Sequence, residues 1–81
     1  MTQVPADTDT LDTCGLLCPL PVLKARKRLQ AMPDGAVRRV LADDPAAQID
    51  VPHFCAEQRH GLIHQGDLED GRFEFLIRKG G

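Results

Sequence analysis

The chain has 81 residues, of which 42% are hydrophobic and 27% are charged, and its formal net charge is −2. This length fits one small domain with the composition of an ordinary globular protein. This net charge gives no overall basic field of the kind that favours binding of nucleic acid, although local regions can differ in charge. Since no apolar run approaches the roughly 20 residues that cross a bilayer, a membrane-spanning helix is also excluded.

Residues 1–8 include Pro5 and show no apolar pattern, which predicts a disordered tail before a single domain over 9–81. The tail also lacks the basic and apolar stretches of a secretory signal. Three cysteines are present, whereas secreted disulfide scaffolds usually have an even number at higher density. We therefore expect a cytoplasmic protein whose cysteines are free thiols, metal ligands or catalytic groups.

The first half of the chain predicts a strand, a helix and a second strand. Residues 8–13 alternate as in a short strand, and Gly15 then permits a turn. Residues 18–32 carry an apolar stripe at helical spacing and are followed by a Pro-Asp-Gly turn. Residues 37–42 are typical of a central, buried strand.

Two prolines mark the start of the first predicted helix. Pro19 fits the first helical position, where a missing N–H is not needed, and Pro21 still falls within the first turn. This placement puts Cys18 at or next to the N-cap of the helix.

The second predicted helix contains an internal proline. Asp43-Asp44-Pro45 has the composition of a helix start, with aspartate as the cap and proline at the first position. Pro52 lies well inside the expected helix, so we expect a broken or kinked element whose better half covers 52–60. Gly61 suits its C-cap.

The last segment predicts a β-hairpin. Residues 62–65 form a third strand, 66–71 a polar turn, and the alternation from Phe73 to Arg78 a fourth strand. The short connection implies that these two strands are antiparallel. The order β-α-β-α-β-β predicts an α+β fold, with two helices on one face of a four-stranded mixed sheet.

Cys18 is the candidate reactive residue, because it stands between a glycine turn and a helix that begins with proline. The N-terminus of a helix supplies partial positive charge and N–H groups that stabilise a thiolate, the nucleophilic form. We therefore expect a modestly lowered pKa for the Cys18 thiol. The alternative, a buried structural cysteine, stays open.

The other cysteines have different predicted roles. Cys14 ends the first strand and is either a spectator thiol or a resolving partner for Cys18, if their Cα atoms come within about 7 Å. Cys55 follows Phe54 on the second helix and is predicted to be core. No metal site and no cofactor are predicted, because the possible ligands do not fall at zinc-binding spacings. Those ligands are Cys14, Cys18, His53, Cys55, His60 and His64.

A basic cluster follows Cys18 and consists of Lys24, Arg26, Lys27 and Arg28. It is either a solvated helix face or a docking surface for an acidic partner, to which Lys24, Lys27 and Arg28 would contribute. Leu17 and Leu20 flank Cys18 and add an apolar rim to that surface. No aromatic residue interleaves the charges, so direct binding of nucleic acid is not expected.

The stretch Leu11-Asp12-x-x-Gly15-Leu16-x-Cys18-Pro19-x-Pro21 resembles the signature of the TusA/SirA family of small sulfur-carrier proteins. Asp44-Pro45 and Asp50-Val51-Pro52-x-Phe54-Cys55 resemble that family's second-helix segment, so the resemblance covers about 11–79. The sequence departs from the commoner pattern at Arg59-His60-Gly61, where relatives often place glycine before histidine. This departure leaves the role of His60 open.

The resemblance implies a two-layer α/β sandwich in which Cys18 accepts persulfide sulfur from a donor protein and relays it to an acceptor protein. The implied donor is a cysteine desulfurase or a rhodanese-like protein. The implied destinations are a 2-thiouridine in tRNA, sulfur oxidation, molybdenum-cofactor supply or selenium handling. Such a protein is a sulfurtransferase component that acts as a carrier rather than as a stand-alone enzyme. We expect the loop and helix start to be supported by Asp12, Gly15, Leu16, Pro19 and Pro21.

Two other hypotheses stay open. One is a non-catalytic regulatory or interaction module, in which the Cys-Pro-Leu-Pro segment is only a rigid recognition element. The other is a thiol redox switch that uses Cys14 and Cys18.

Overall fold

The computed structural model describes residues 10–80, so the predicted tail, residues 1–8, lies outside the described residues. The elements follow the predicted order β-α-β-α-β-β. They are β1 (Thr10–Asp12), α1 (Leu20–Gln30), β2 (Val37–Ala42), α2 (Ala47–Gln58), β3 (Gly61–Asp67) and β4 (Phe73–Arg78).

The strands form one four-stranded mixed sheet in the order β1-β2-β4-β3. β1 pairs with β2 in parallel, and β4 pairs antiparallel with both β2 and β3. The predicted hairpin and the predicted mixed sheet are therefore confirmed. β3 is longer than predicted, because Gly66 and Asp67 continue the ladder into the segment expected to turn.

One face of the sheet carries the core. Leu11, Val40 and Phe75 are neighbours in register across β1, β2 and β4, and all three are buried. Leu29 of α1 and Val51 of α2 belong to the same buried cluster, so both helices cover this face. Burial of each such large apolar side chain stabilises the folded state by about 1.5–3 kcal/mol. The predicted two-layer arrangement is confirmed, because both helices pack on one face of the sheet.

The predicted break at Pro52 is wrong, because α2 continues from Ala47 to Gln58 with the proline inside it. Proline has no N–H to donate to the carbonyl four residues earlier, which belongs to Gln48. Gln65 of β3 supplies the missing donor, since its Nε2 lies 3.3 Å from that carbonyl oxygen. A contact with a distant strand thus supports the helix at the proline.

Both ends of α2 also differ from prediction. The N-cap is Ala46 rather than an aspartate, but Asp44 Oδ1 accepts a hydrogen bond from the Ala46 N–H at 3.0 Å. The C-cap is Arg59, which has a left-handed backbone with φ 61°, whereas Gly61 is the first residue of β3. Neither helix of the described residues is long and apolar enough to cross a membrane.

Lys79 closes the C-terminal end of α1. Its Nζ donates to the carbonyl oxygens of Leu29 at 2.9 Å and Met32 at 3.1 Å, at the end of the helix, where carbonyl groups lack the usual donors of the following turn. His60 Nδ1 accepts from the N–H of Gly80 at 3.0 Å in the same region. We call this region, residues 29–32, 60 and 79–80, the Lys79 end of the molecule.

Candidate functional site

The segment from Thr13 to Pro19, here called the Cys18 loop, connects the carboxyl end of β1 to α1. Its first residue is anchored, because the N–H and the hydroxyl of Thr13 both donate to the carbonyl oxygen of Leu41, at 2.8 and 2.6 Å. Gly15 then has φ 87°, a conformation that favours glycine. Because β1 and β2 are parallel, the loop lies beside the residues that follow β2.

Carboxylates hold the backbone of the Cys18 loop. Asp12 Oδ1 accepts from the N–H of Cys14 at 2.9 Å, and Asp43 Oδ1 accepts from the N–H of Gly15 at 2.9 Å. Asp44 Oδ2 accepts from the N–H of Cys18 at 2.7 Å. These N–H groups lie outside regular structure and need such partners. The hydrogen bonds fix the loop without covering it.

The start of α1 differs by one position from the prediction. Pro19 is the N-cap, with φ −97° and ψ 15°, so Leu20 is the first helical residue and Pro21 the second. The prediction that Pro19 occupies the first helical position is therefore wrong, whereas Cys18 lies next to the N-cap as expected. The cause is a turn before the helix, in which the Leu20 N–H donates to the Leu17 carbonyl at 2.9 Å.

The Cys18 thiol is exposed, and its Sγ donates to Asp50 Oδ2 at 2.7 Å. This hydrogen bond, together with partial loss of water and the charges of Asp50 and Asp44, raises the pKa of Cys18. The predicted lowering of the pKa is therefore wrong in sign. A helix N-terminus carries only about half an elementary charge, and full negative charges close to the sulfur outweigh it.

Exposed apolar side chains precede and follow Cys18 in the chain. Leu17 is 70% exposed and Leu20 is 47% exposed, on either side of Cys18. Leu16 is half-buried, and its N–H donates to the Thr13 carbonyl at 3.1 Å. The loop thus presents sulfur and hydrocarbon together at the surface.

A groove of about 260 Å³ runs between α1 and α2, with Cys18 among its lining residues. The α1 side contributes Val22, Leu23 and Arg26. The α2 side contributes Asp50, His53, Phe54, Glu57 and Gln58. The groove therefore combines an apolar floor with charged groups of both signs.

The basic cluster is divided between two sides of α1. Arg26 lines the groove that contains Cys18. A separate cavity of about 330 Å³ is lined by Lys24, Lys27 and Arg28, together with one apolar residue of β1 and the alanine that follows α1. Leu17 and Leu20 are thus exposed on either side of Cys18 along the chain, whereas those three cations line a cavity on another side of the helix.

The remaining thiols have different surroundings. Cys14 is half-buried, and burial, followed by its hydrogen bond to Asp12, raises the pKa of its thiol to about 11. Cys55 is 2% exposed within the core, as predicted, and burial raises its pKa to about 11. All three cysteines are free thiols. Cys18 is therefore the thiol that another protein can reach most easily.

The histidines take part in local contacts. His60 lies 5.5 Å from the Phe54 ring between centroids, and its pKa is lowered by burial and by the nearby Lys79. His53 contacts Glu57 at 3.4 Å, and His64 contacts Glu74 at 3.4 Å. Within residues 10–80, no group of three or more His, Cys, Asp or Glu side chains could hold a metal ion.

The positions of Asp43, Asp44 and Asp50 around Cys18 were not predicted. From the sequence, the first two were expected to cap the second helix, and the third had no predicted role. One signal was available: in a parallel β-α-β unit, residues after the first and second strands meet at the same edge of the sheet. Acidic residues after β2 were therefore candidates to contact the loop after β1.

The fold and the site define a class, that of a small α+β protein with one exposed thiol at the carboxyl edge of two parallel strands. The family described as sulfurtransferase TusA matches residues 9–79, and the chain therefore belongs to that family. Membership supports a role as a sulfur carrier in general, together with interaction with sulfur-transfer partner proteins.

A solved structure supports the same assignment. The crystal structure of a SirA-like protein from Desulfitobacterium hafniense is 25% identical in sequence and superposes with a TM-score of 0.79. The match covers 91% of this chain and 100% of that one. The predicted family and fold class are thus confirmed.

Proposed function

We propose that Cys18 is the sulfur-carrying residue, which accepts persulfide sulfur from a donor protein and passes it to an acceptor protein. The observation that carries this proposal is the contrast in access among the cysteines: Cys18 is exposed, Cys14 is half-buried and Cys55 is buried. A carrier must present the same sulfur to two macromolecules in turn. A thiol on a loop held by its backbone meets that requirement.

The proposed reaction is a thiol–persulfide exchange. The sulfur of Cys18 attacks the outer sulfur of the donor persulfide, a new S–S bond forms, and the donor's own S–S bond breaks. The donor returns to a thiol, and the proton lost by Cys18 balances the one that the donor gains. In the second half, an acceptor thiolate attacks the outer sulfur of the Cys18 persulfide, and Cys18 leaves.

The proposed partners follow from the resemblance and from the surface around the thiol. The donor is a cysteine desulfurase or a rhodanese-like protein, and the acceptor serves tRNA thiolation or another branch of sulfur metabolism. Leu17 and Leu20 contact either partner as it approaches Cys18, and the side of α1 that carries Lys24, Lys27 and Arg28 favours an acidic one. A reducing cytoplasm keeps the unloaded thiol free.

Intact-mass measurement after incubation with a cysteine desulfurase and cysteine tests the proposal. We expect the protein to gain the mass of one sulfur atom, and we expect Cys18→Ser to gain none. Cys14→Ser and Cys55→Ser are matched controls, since each removes a thiol and leaves Cys18 in place. Sulfur bound equally by Cys18→Ser would refute the proposal.

The same measurement separates the two competing hypotheses. A redox switch would lose two hydrogens under a mild oxidant, and this loss would depend on Cys14. An interaction module would take no sulfur, and its partner binding would survive Cys18→Ser.

A further inference from the structure

Asp50 occupies a distinctive position among the carboxylates at the site. It lies in the first turn of α2, is half-buried, and accepts the hydrogen bond of the Cys18 Sγ at 2.7 Å. Asp43 and Asp44 instead accept from backbone N–H groups of the loop. Asp50 is therefore the aspartate in contact with the reacting atom.

We propose that Asp50 is a catalytic residue that takes the proton from Cys18 while sulfur is loaded. This inference rests on the function proposed above for Cys18. As the Sγ–S bond to the donor's outer sulfur forms, the proton moves from Sγ to Asp50 Oδ2 and the donor's S–S bond breaks. The donor cysteine leaves as a thiolate and receives that proton from Asp50, so atoms and charge balance.

The geometry meets the first requirement for a general base, which is hydrogen-bond reach of the proton that it removes. A second argument comes from the surroundings. A donor that covers Leu17 and Leu20 displaces water from the thiol, so a proton acceptor within the protein is then needed. The raised pKa of Cys18 makes this need greater, because the thiol enters the complex protonated.

Other charged groups face the same region. Asp44 lies on the loop before α2, Arg26 faces the groove from α1, and His53 and Glu57 face it from α2. His53 and Glu57 contact each other at 3.4 Å, and Asp44 is bound to backbone N–H groups. Within residues 10–80, the hydrogen bond of the Cys18 Sγ goes to Asp50, which is therefore positioned to accept the proton.

The arrangement has opposite effects in the free protein and in the complex. In free solution, the hydrogen bond from Sγ to Asp50 keeps the thiol protonated and slows its reaction with small electrophiles, which attack the thiolate. In the donor complex, the same carboxylate provides the route for the proton. Removal of the carboxylate should therefore speed one reaction of Cys18 and slow the other.

Asp50→Asn tests the inference through these two rates. We expect alkylation by iodoacetamide at neutral pH to become several-fold faster, because the negative charge near the sulfur is lost. We expect sulfur loading from the desulfurase at the same pH to become about 10²-fold slower, a typical general-base contribution. Loading by the variant should recover as the pH rises, since hydroxide then removes the proton before docking.

Asp43→Asn is the matched control, because it removes a carboxylate that binds the backbone of the Cys18 loop and makes no hydrogen bond with Sγ. A purely structural change in the loop would alter the rates of alkylation and of sulfur loading in the same direction. We expect that pattern for Asp43→Asn. Asp50→Glu keeps a carboxylate and should retain more loading than Asp50→Asn. It also provides a second test if the asparagine variant does not fold, as judged by circular dichroism.

Three outcomes count against the inference. Loading by Asp50→Asn at the wild-type rate at neutral pH would overturn it, and so would a parallel fall of both rates. In either case wild-type loading on Cys18 would still stand. If the wild-type protein itself takes no sulfur on Cys18, the proposed function fails together with the inference.

Discussion

The Cys18 loop and the Lys79 end are stabilised by the same kind of interaction but differ in what they leave exposed. At the loop, Asp43 and Asp44 accept from backbone N–H groups. At the other end, Lys79 donates to the carbonyls of Leu29 and Met32. The loop and the first residue of α1 leave a thiol and two leucines exposed, whereas at the Lys79 end the carbonyl groups at the end of a helix are bound by a lysine. Backbone order therefore does not require that side chains be buried.

The polarity of the helices explains which charges appear at each end. Both helices begin at the edge of the sheet that holds Cys18, because each follows the carboxyl end of a parallel strand. Helix N-termini favour negative groups and C-termini favour positive ones. The aspartates accordingly lie near the helix N-termini, and Lys79 lies at the C-terminus of α1. We therefore expect that substitutions at one end can leave the other end unaffected.

The largest expected difference is in thiol labelling. At pH 8 in the folded protein, we expect iodoacetamide to modify Cys18 at least about 10²-fold faster than Cys55, which reacts only after local opening. Because the pKa of Cys18 is raised, its labelling should keep rising above the pH at which an ordinary cysteine levels off. Mass mapping of labelled peptides measures both effects. Equal labelling of Cys55 in folded protein would contradict the closed core.

The next effect concerns the Lys79 end. Lys79→Met keeps most of the side-chain length but removes the donor to two carbonyl groups, so we expect the free energy of unfolding to fall by about 2 kcal/mol. Sulfur loading on Cys18 should stay at the wild-type rate under folding conditions. Urea denaturation measures the first and intact mass the second. Lys24→Met, on the exposed face of the same helix, is the control and should change stability by less than about 0.5 kcal/mol.

A smaller loss of stability is expected at the other end. Asp44 uses one carboxylate oxygen for the Cys18 N–H and the other for the Ala46 N–H. Asparagine has one such oxygen, so Asp44→Asn leaves one N–H without its acceptor and should lower the free energy of unfolding by about 1 kcal/mol. The rate of sulfur loading on Cys18 should nevertheless fall more in Asp44→Asn than in Lys79→Met. If Lys79→Met impaired loading more, the two ends would not be separable.

The smallest effect on the fold is expected at the apolar rim. Leu17→Ser removes a side chain that is 70% exposed, so stability should change by less than about 0.5 kcal/mol. The concentration of donor protein that gives half-maximal loading should rise several-fold, because the side chain proposed to contact the donor is lost. Ile63→Ser, on the edge strand β3 and 49% exposed, is the matched control. The same rise in that variant would indicate a general rather than a local effect.

The sequence predicted the elements whose signals are local. β2 has the predicted bounds, and β4 covers the predicted segment, although Leu76 is buried as well as its neighbours Phe75 and Ile77. A parallel strand pair and a final hairpin then restrict the sheet to few arrangements. The family signature around Cys18 was also visible in the residues themselves.

The missed features depend on contacts between distant parts of the chain. The partner of Cys18 Sγ is Asp50, 32 residues away, and the sign of the pKa shift follows from that partner. The continuity of α2 through Pro52 depends on Gln65, which belongs to a different strand. The residues that signal a helix start are neighbours in the chain, so neither contact could be predicted from them.

The contact between Gln65 and α2 has a consequence for mutation and engineering. Gln48 is bound to β3 twice, through its carbonyl to Gln65 and through its side chain to Asp67. The same turn of helix carries Asp50, so substitutions of Gln65 or Asp67 are expected to change the reactivity of the Cys18 thiol without altering the cysteine itself. They therefore offer a way to tune the proposed carrier while the exposed side chains of Leu17 and Leu20 stay intact.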